Sequence, residues 1–231
     1  MARLESKKSS GKKRGLIAHE RKKSPISEQY RTIRTNIEFS SIDKELKTIL
    51  VTSAGPGEGK STTAANLAIV HAQNGHKVLI VDADLRKPTV HHTFGVLNTR
   101  GLTSLLTKKS EFAACIQESE IEGLSILPSG PIPPNPAELL NSKMMDLLLG
   151  SLKEKFDTII LDTPPVMAVT DAQVLSNKAD GTILVVSNGK TDRAQAVKTK
   201  ELLSQSKSKL LGVVFNNKEL KQGNYYYYYG Q

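Results

Sequence analysis

The segment Ala54-Gly55-Pro56-Gly57-Glu58-Gly59-Lys60-Ser61-Thr62 constrains this chain more than any other. A β-branched, apolar run, Thr48–Thr52, precedes it, and Ser61–Asn74 follows with Ala, Leu, Ile and Val recurring up to Gly75. Glycines in a bend between a strand and a helix let backbone N–H groups close on an anion, and the helix N-terminus favours negative charge there. That context distinguishes a phosphate-binding loop from a glycine-rich turn with no ligand. On this reading Gly55, Pro56, Gly57, Glu58, Gly59, Lys60, Ser61 and Thr62 hold the phosphates of a nucleotide. Lys60 reaches the β- and γ-phosphates, and Ser61 offers its hydroxyl to Mg2+. The general pattern opens on glycine where this chain has Ala54, a change that a negative φ tolerates.

Two further strands end in carboxylates. Val78–Val81 runs into Asp82-Ala83-Asp84-Leu85-Arg86, and Phe156–Leu161 runs into Asp162-Thr163-Pro164-Pro165. Strands are also expected at Leu124–Leu127, Thr182–Val186 and Leu210–Phe215. Helices are expected at Ser27–Ser40, Gly101–Leu106, Glu111–Ser119, Asp171–Asn177, Asp192–Gln205 and after Pro136. Val-, Ile- and Leu-rich strands alternating with helices predict an α/β fold, a mostly parallel sheet with helices on both faces. Ligands of such sheets bind beyond the carboxyl ends of the strands, so all three aspartates belong to the edge that carries the glycine-rich bend. Mg2+ takes one or two carboxylates plus phosphate oxygens and water, which suits Asp82 and Asp162. Asp84 reads as a general base or a further metal contact. Arg86 either holds the substrate side of the site or pairs locally with Asp84. Asn216, after the last strand, is a candidate contact for the adenine edge. His91 and His92 read as ordinary loop residues, and Cys115 as core.

The +9 net charge of the 231 residues is unevenly placed. Residues 1–24 carry nine Lys/Arg against Glu5 and Glu20, while the rest has 23 basic and 21 acidic residues. This divides the chain into a basic flexible arm (1–24), a globular domain (25–222) and a low-complexity tail (223–231). Contact with anionic lipid headgroups and plain solubility stand level as readings of the arm. It has no interleaved aromatics, so nucleic acid is not an expected partner. A single cysteine excludes an intramolecular disulfide framework and a Cys₄ metal site. The longest apolar runs span only a few residues, too short for a bilayer, and nothing resembles a signal peptide, so a cytoplasmic location is expected.

Together AGPGEGKST, VLIVDADLRKPT, TIILDTPP and SGPIPPNPAELL, with the terminal tyrosines, resemble the bacterial tyrosine kinase family over about Ser24–Gln231. The resemblance implies a P-loop NTPase fold of the MinD/ParA-like type and an ATP- and Mg2+-dependent protein-tyrosine kinase. It implies catalytic roles for Lys60, Asp82, Asp84 and Asp162, with Asp84 assisting deprotonation of the tyrosine. Ser61, Asp82 and Asp162 would serve the metal. The chain resembles the separate cytosolic kinase subunits of Gram-positive capsule and exopolysaccharide systems. These have a transmembrane activator on another chain, which recruits the kinase to the inner face of the membrane, a cognate tyrosine phosphatase and other protein substrates. The family's ExxRxxR helix, used in ring-like homo-oligomers, reads here Glu28, Arg31 and Arg34; from spacing alone it is a solvated charged face.

Five of the six tyrosines are consecutive, Tyr225, Tyr226, Tyr227, Tyr228 and Tyr229, between Asn224 and Gly230. Beside a kinase-like body they read as phosphoacceptors entering a neighbour's site; alone, they read equally as a sticky aromatic tail. The competing reading is a MinD/ParA-like ATPase switch without kinase activity. Gly55, where many such ATPases carry a second lysine, and the tyrosine run favour the kinase.

Overall fold

Unbroken runs of Val, Ile and Leu make strands that are buried on both faces, and such strands must be covered twice. The computed structural model describes residues 15–40 and 46–218. Along the chain the elements are α1 (Ile17–Glu20), α2 (Pro25–Phe39), β1 (Thr48–Ser53), α3 (Lys60–Ala72), β2 (Val78–Asp82), α4 (Val90–Phe94) and α5 (Leu102–Leu106). A 3₁₀ turn (Phe112–Ala114) leads to β3 (Gln117–Glu118), β4 (Leu124–Leu127), α6 (Pro136–Asn141), α7 (Lys143–Lys155) and β5 (Thr158–Asp162). α8 (Asp171–Ser176), β6 (Gly181–Ser187), α9 (Arg193–Ser204) and β7 (Lys209–Asn216) complete it. The seven strands lie in the order β3-β4-β2-β5-β1-β6-β7, and every neighbouring pair is parallel except β3–β4.

Alternate residues of each strand feed opposite cores. Ile49 and Val51 pack with Tyr30, Ile37, Leu67 and Val70 on the side of α2 and α3. Leu50 packs with Leu102, Leu140, Met145 and Leu149 on the side of α5, α6 and α7. The chain leaves β1, crosses through α3 and returns as β2 two places away, and β5 fills the slot between. Asp82 therefore stands opposite Asp162, and Asp162 opposite Val51, at one end of the sheet.

Local chemistry sets the helix ends. Ser24 caps α2 by accepting from the Ser27 N–H, with Pro25 in the first turn. Ser142 is extended; it stops α6 and caps α7 through the Met145 N–H, so two helices follow Pro136. Asp192 accepts from the Ala194 and Gln195 N–H groups to start α9.

The expected helix at Glu111–Ser119 shrinks to the 3₁₀ turn and a short antiparallel strand. Gln117 and Glu118 pair with Ile126 and Ser125, and the Gln117 amide grips the Leu97 backbone at 3.1 and 2.8 Å. His91 and His92 lie in α4 rather than in a loop, their rings 3.8 Å apart. The basic arm also ends earlier than residue 24. Leu16, Ile17 and Ala18 are apolar enough to dock, and Ala18 is fully buried with its N–H on Asn66 Oδ1 at 2.9 Å. Residues 1–14 and the tyrosine run Tyr225–Tyr229 lie outside the described residues.

Candidate active site

The bend after β1 reaches α3 through Gly59, whose φ of +97° is open to glycine and closed to most residues. α3 has no side-chain cap, so its first N–H groups face whatever lies beyond the bend. Ala54 is not among the residues with positive φ, which is why alanine is accepted there. Pro56, Gly57, Gly59, Lys60, Ser61 and Thr62 line a cavity of about 360 Å³, together with Asp84, Lys87, Thr89 and Pro165.

Gly55 and Glu58 serve the loop from behind instead of facing this cavity. The Gly55 carbonyl accepts from Ser53 Oγ at 2.8 Å. The buried Glu58 carboxylate accepts from Thr191 Oγ1 at 2.8 Å, and that oxygen in turn accepts from the Ser187 N–H. Asn216 donates its amide to the Glu58 carbonyl at 3.0 Å. Its amide nitrogen thus anchors the loop from the end of β7. Lys190 has its ammonium over Gly57, where a Cβ would come within 2.5 Å. Thr191 and Lys190 were not foreseen, because they lie some 130 residues from the loop in sequence and no local motif marks them.

Lys60 Nζ lies 3.0 Å from Asp84 Oδ2, 3.3 Å from Asp162 Oδ1 and 3.2 Å from Ser61 Oγ. Burial works against its charge, but the Asp162 and Asp84 carboxylates outweigh that and raise its pKa, so it stays an ammonium. Asp84 also accepts the Lys87 N–H at 3.0 Å. Asp82 is fully buried, and its Oδ2 accepts from the Thr89 and Val90 N–H groups at 2.8 and 2.9 Å, at the N-terminus of α4. Burial, helped by the Asp162 charge, pushes Asp82 up to about 7. Burial raises Asp162 too, against the pull of Lys60.

The other oxygens of this pair, Asp82 Oδ1 and Asp162 Oδ2, are buried without a hydrogen-bond partner among the described residues. Two carboxylates held where burial disfavours their charge, each with an unused oxygen, fit a hard divalent cation. Among the described residues no three His, Cys, Asp or Glu form a cage of their own. The donor set therefore suits a metal that draws most of its ligands from water and phosphate.

Arg86 does not pair with Asp84. Its guanidinium takes both oxygens of the fully buried Asp171, at 2.9 and 3.0 Å, tying the β2 loop to α8. Glu28, Arg31 and Arg34 are all engaged within the chain. Arg31 pairs with Glu28 and donates to the Lys22 carbonyl, and Arg34 donates to the Val70 carbonyl at 2.9 Å.

A family model described as an AAA domain matches residues 46–198. Tyrosine-protein kinase YwqD of Bacillus subtilis (strain 168) is 56% identical over 227 residues, covering 98% of this chain and 96% of that protein. The chain belongs to the bacterial tyrosine-protein kinases. The kinase domain of the Escherichia coli tyrosine kinase ETK superposes on this kinase with a TM-score of 0.83 at 30% identity, covering 99% of this chain and 89% of that one. The septum site-determining protein MinD of Pyrococcus horikoshii, complexed with Mg-ADP, is more distant. It has a TM-score of 0.63 at 25% identity, covering 73% and 69% of the two chains. The kinase thus shares the P-loop ATPase fold, which implies nucleotide binding, while its relatives at higher identity are tyrosine kinases. Among its described residues no helix is long and apolar enough to cross a membrane.

Proposed function

We propose that this kinase transfers the γ-phosphoryl group of ATP, with Mg2+, to the tail tyrosines Tyr225–Tyr229 of a neighbouring subunit. On this reading it governs capsular or extracellular polysaccharide synthesis and export. The observation that carries the reading is the Lys60–Asp84–Asp162 cluster beside the unpartnered oxygens of Asp82 and Asp162. The free N–H groups at the start of α3 and the loop amides hold the phosphates. Lys60 turns from Asp84 to the β- and γ-phosphate oxygens, and that exchange releases Asp84 Oδ2. Asp84 then accepts the hydroxyl proton of the incoming tyrosine, whose pKa near 10 keeps it protonated in water. Ser61, Asp82 and Asp162 would hold Mg2+, which when bound supplies neutralisation of phosphate charge. Positioning and charge compensation supply most of the rate in such a transfer.

Supported by the same family membership, we place the kinase at the inner face of the membrane. There a separate transmembrane activator recruits it, and a tyrosine phosphatase and further protein substrates complete the system. Glu28, Arg31 and Arg34 lie together on α2 and offer the ring contact between copies. Incubation with Mg-ATP followed by mass-spectrometric mapping tests the reading. Phosphotyrosine is expected at residues 225–229 of the full chain and nowhere on the Lys60→Met variant. Retained phosphotyrosine on that variant, or phosphate release without protein labelling, would overturn it.

A further inference from the structure

Strand order sets which way a nucleotide lies in the glycine-rich bend. β1 delivers the bend, with β5 on one side of it and β6 on the other. Asp162 ends β5, Asp82 ends β2 beyond it, and Asp84 and Asp162 draw the Lys60 ammonium to that side. The metal and the terminal phosphates therefore belong over β5 and β2. The three carboxylates there repel any phosphate that the metal and Lys60 do not neutralise. The α-phosphate and the nucleoside accordingly leave the bend on the other side of β1, over β6 and β7.

On that side stands a pinned turn that carries a cation. The Ser187 carbonyl, at the end of β6, accepts from the Lys190 and Thr191 N–H groups at 3.1 and 2.9 Å. The Asn188 N–H donates to the Asn216 carbonyl at 2.9 Å, and the Asn217 amide donates to Ser187 Oγ at 2.9 Å. Thr191 Oγ1 donates to the carboxylate of Glu58, a residue of the bend itself. From this mount the exposed Lys190 side chain reaches back over the bend, so that a Cβ at Gly57 would come within 2.5 Å of its Nζ. Gly57 has a φ of +72° and lines the nucleotide cavity. Glycine there serves the left-handed backbone and also leaves the ammonium its seat. The Lys190 ammonium has no ion-pair or hydrogen-bond partner among the described residues, whereas Lys60 is shared between two aspartates. Because the backbone of the turn is already fixed, only side-chain freedom is lost when Lys190 takes a ligand.

We propose that Lys190 is a second nucleotide-binding cation, which closes over Gly57 onto the α-phosphate while Lys60 holds the β- and γ-phosphates. The two lysines enter from opposite sides of β1 and grip the phosphate chain at its two ends. This assignment rests on the bend binding ATP. It concerns affinity for ADP and ATP alike and not the transfer step.

Calorimetric titration of the full chain with Mg-ADP and with the non-hydrolysable triphosphate Mg-AMP-PNP tests it. Lys190→Gln is expected to weaken both nucleotides roughly tenfold and by the same factor, since both carry an α-phosphate. Lys190→Arg should keep most of the affinity. The loss in Lys190→Gln should shrink severalfold between about 50 and 500 mM KCl, because an exposed charge contact is screened and a distorted loop is not. Equal affinity in the wild-type chain and Lys190→Gln would overturn the proposal. So would a loss confined to Mg-AMP-PNP, which moves the ammonium to the terminal phosphate, or a loss indifferent to salt, which makes Lys190 a brace for the loop. A wild-type chain that binds neither nucleotide would overturn the nucleotide site itself, and this proposal with it.

Discussion

At Gly59 a Cβ would fall 2.0 Å from the Asn216 amide nitrogen, and φ there is +97°. A side chain must either push Asn216 off the Glu58 carbonyl or give up the backbone conformation, and the left-handed region alone costs about 1–2 kcal/mol. Gly59→Ala is therefore expected to weaken nucleotide binding by roughly tenfold or more, read by titration calorimetry. Asn216→Ala removes only the anchor and should weaken binding less; an equal loss would mean that Asn216 touches the nucleotide itself. These residues also show what a sequence conceals. Lys60, Ser61 and the three aspartates were legible because a motif and a strand end each mark them locally. That Glu58 faces Thr191 and that Asn216 holds the loop depend on β6 pairing with β1 and β7 with β6, and no window of sequence contains that fact.

At the scale of elements, α3 is held from both sides. Arg34 of α2 donates to the Val70 carbonyl in the last turn of α3, and the next residue, His71, is buried with neither ring nitrogen partnered among the described residues. Burial, with the nearby His76 and Arg34 charges, lowers the His71 pKa from 6.5 to about 3. The fold accepts it neutral, whereas the unfolded chain protonates it below 6.5. Its contribution is thus complete above pH 6.5 and is lost as the pH falls from 6.5 toward 3. The urea midpoint should drop through that window, and more steeply than in His71→Leu; parallel drops would locate the acid sensitivity elsewhere. The β2 loop and α8 are joined by the Arg86–Asp171 ion pair. Arg86→Ala leaves Asp171 buried without its cation, at a cost of about 2–3 kcal/mol given that Arg86 is partly exposed. Arg86→Lys should restore only part of this, since lysine lacks the two-pronged grip; full rescue in urea unfolding would argue against the bidentate geometry. Strand-forming runs announced six of the seven strands. The short β3 was missed because two paired residues carry no periodicity, and α4 because Asp82, eight residues upstream of Val90, supplies its N-terminal acceptor.

For the molecule as a whole, the candidate catalytic groups and the proposed acceptors lie in different stretches of the sequence. The cavity, the carboxylates and the loop belong to the sheet end, whereas the tyrosines lie past Lys218. Changing all five tail tyrosines to phenylalanine is therefore expected to leave nucleotide affinity unchanged and to spare phosphorylation of an added protein substrate. Loss of both in a binding and labelling assay would give the tail a structural duty. One parallel arrangement brings three further things to the same rim: the phosphate loop, the acidic strand tips and the exit of the chain. Asn216 stands two residues before that exit and holds the carbonyl of Glu58. One side-chain amide thus couples the end of β7 to the glycine-rich bend, so a displacement of this strand would carry the Glu58 carbonyl with it, and strain in the sheet edge would change the shape of the candidate nucleotide cradle.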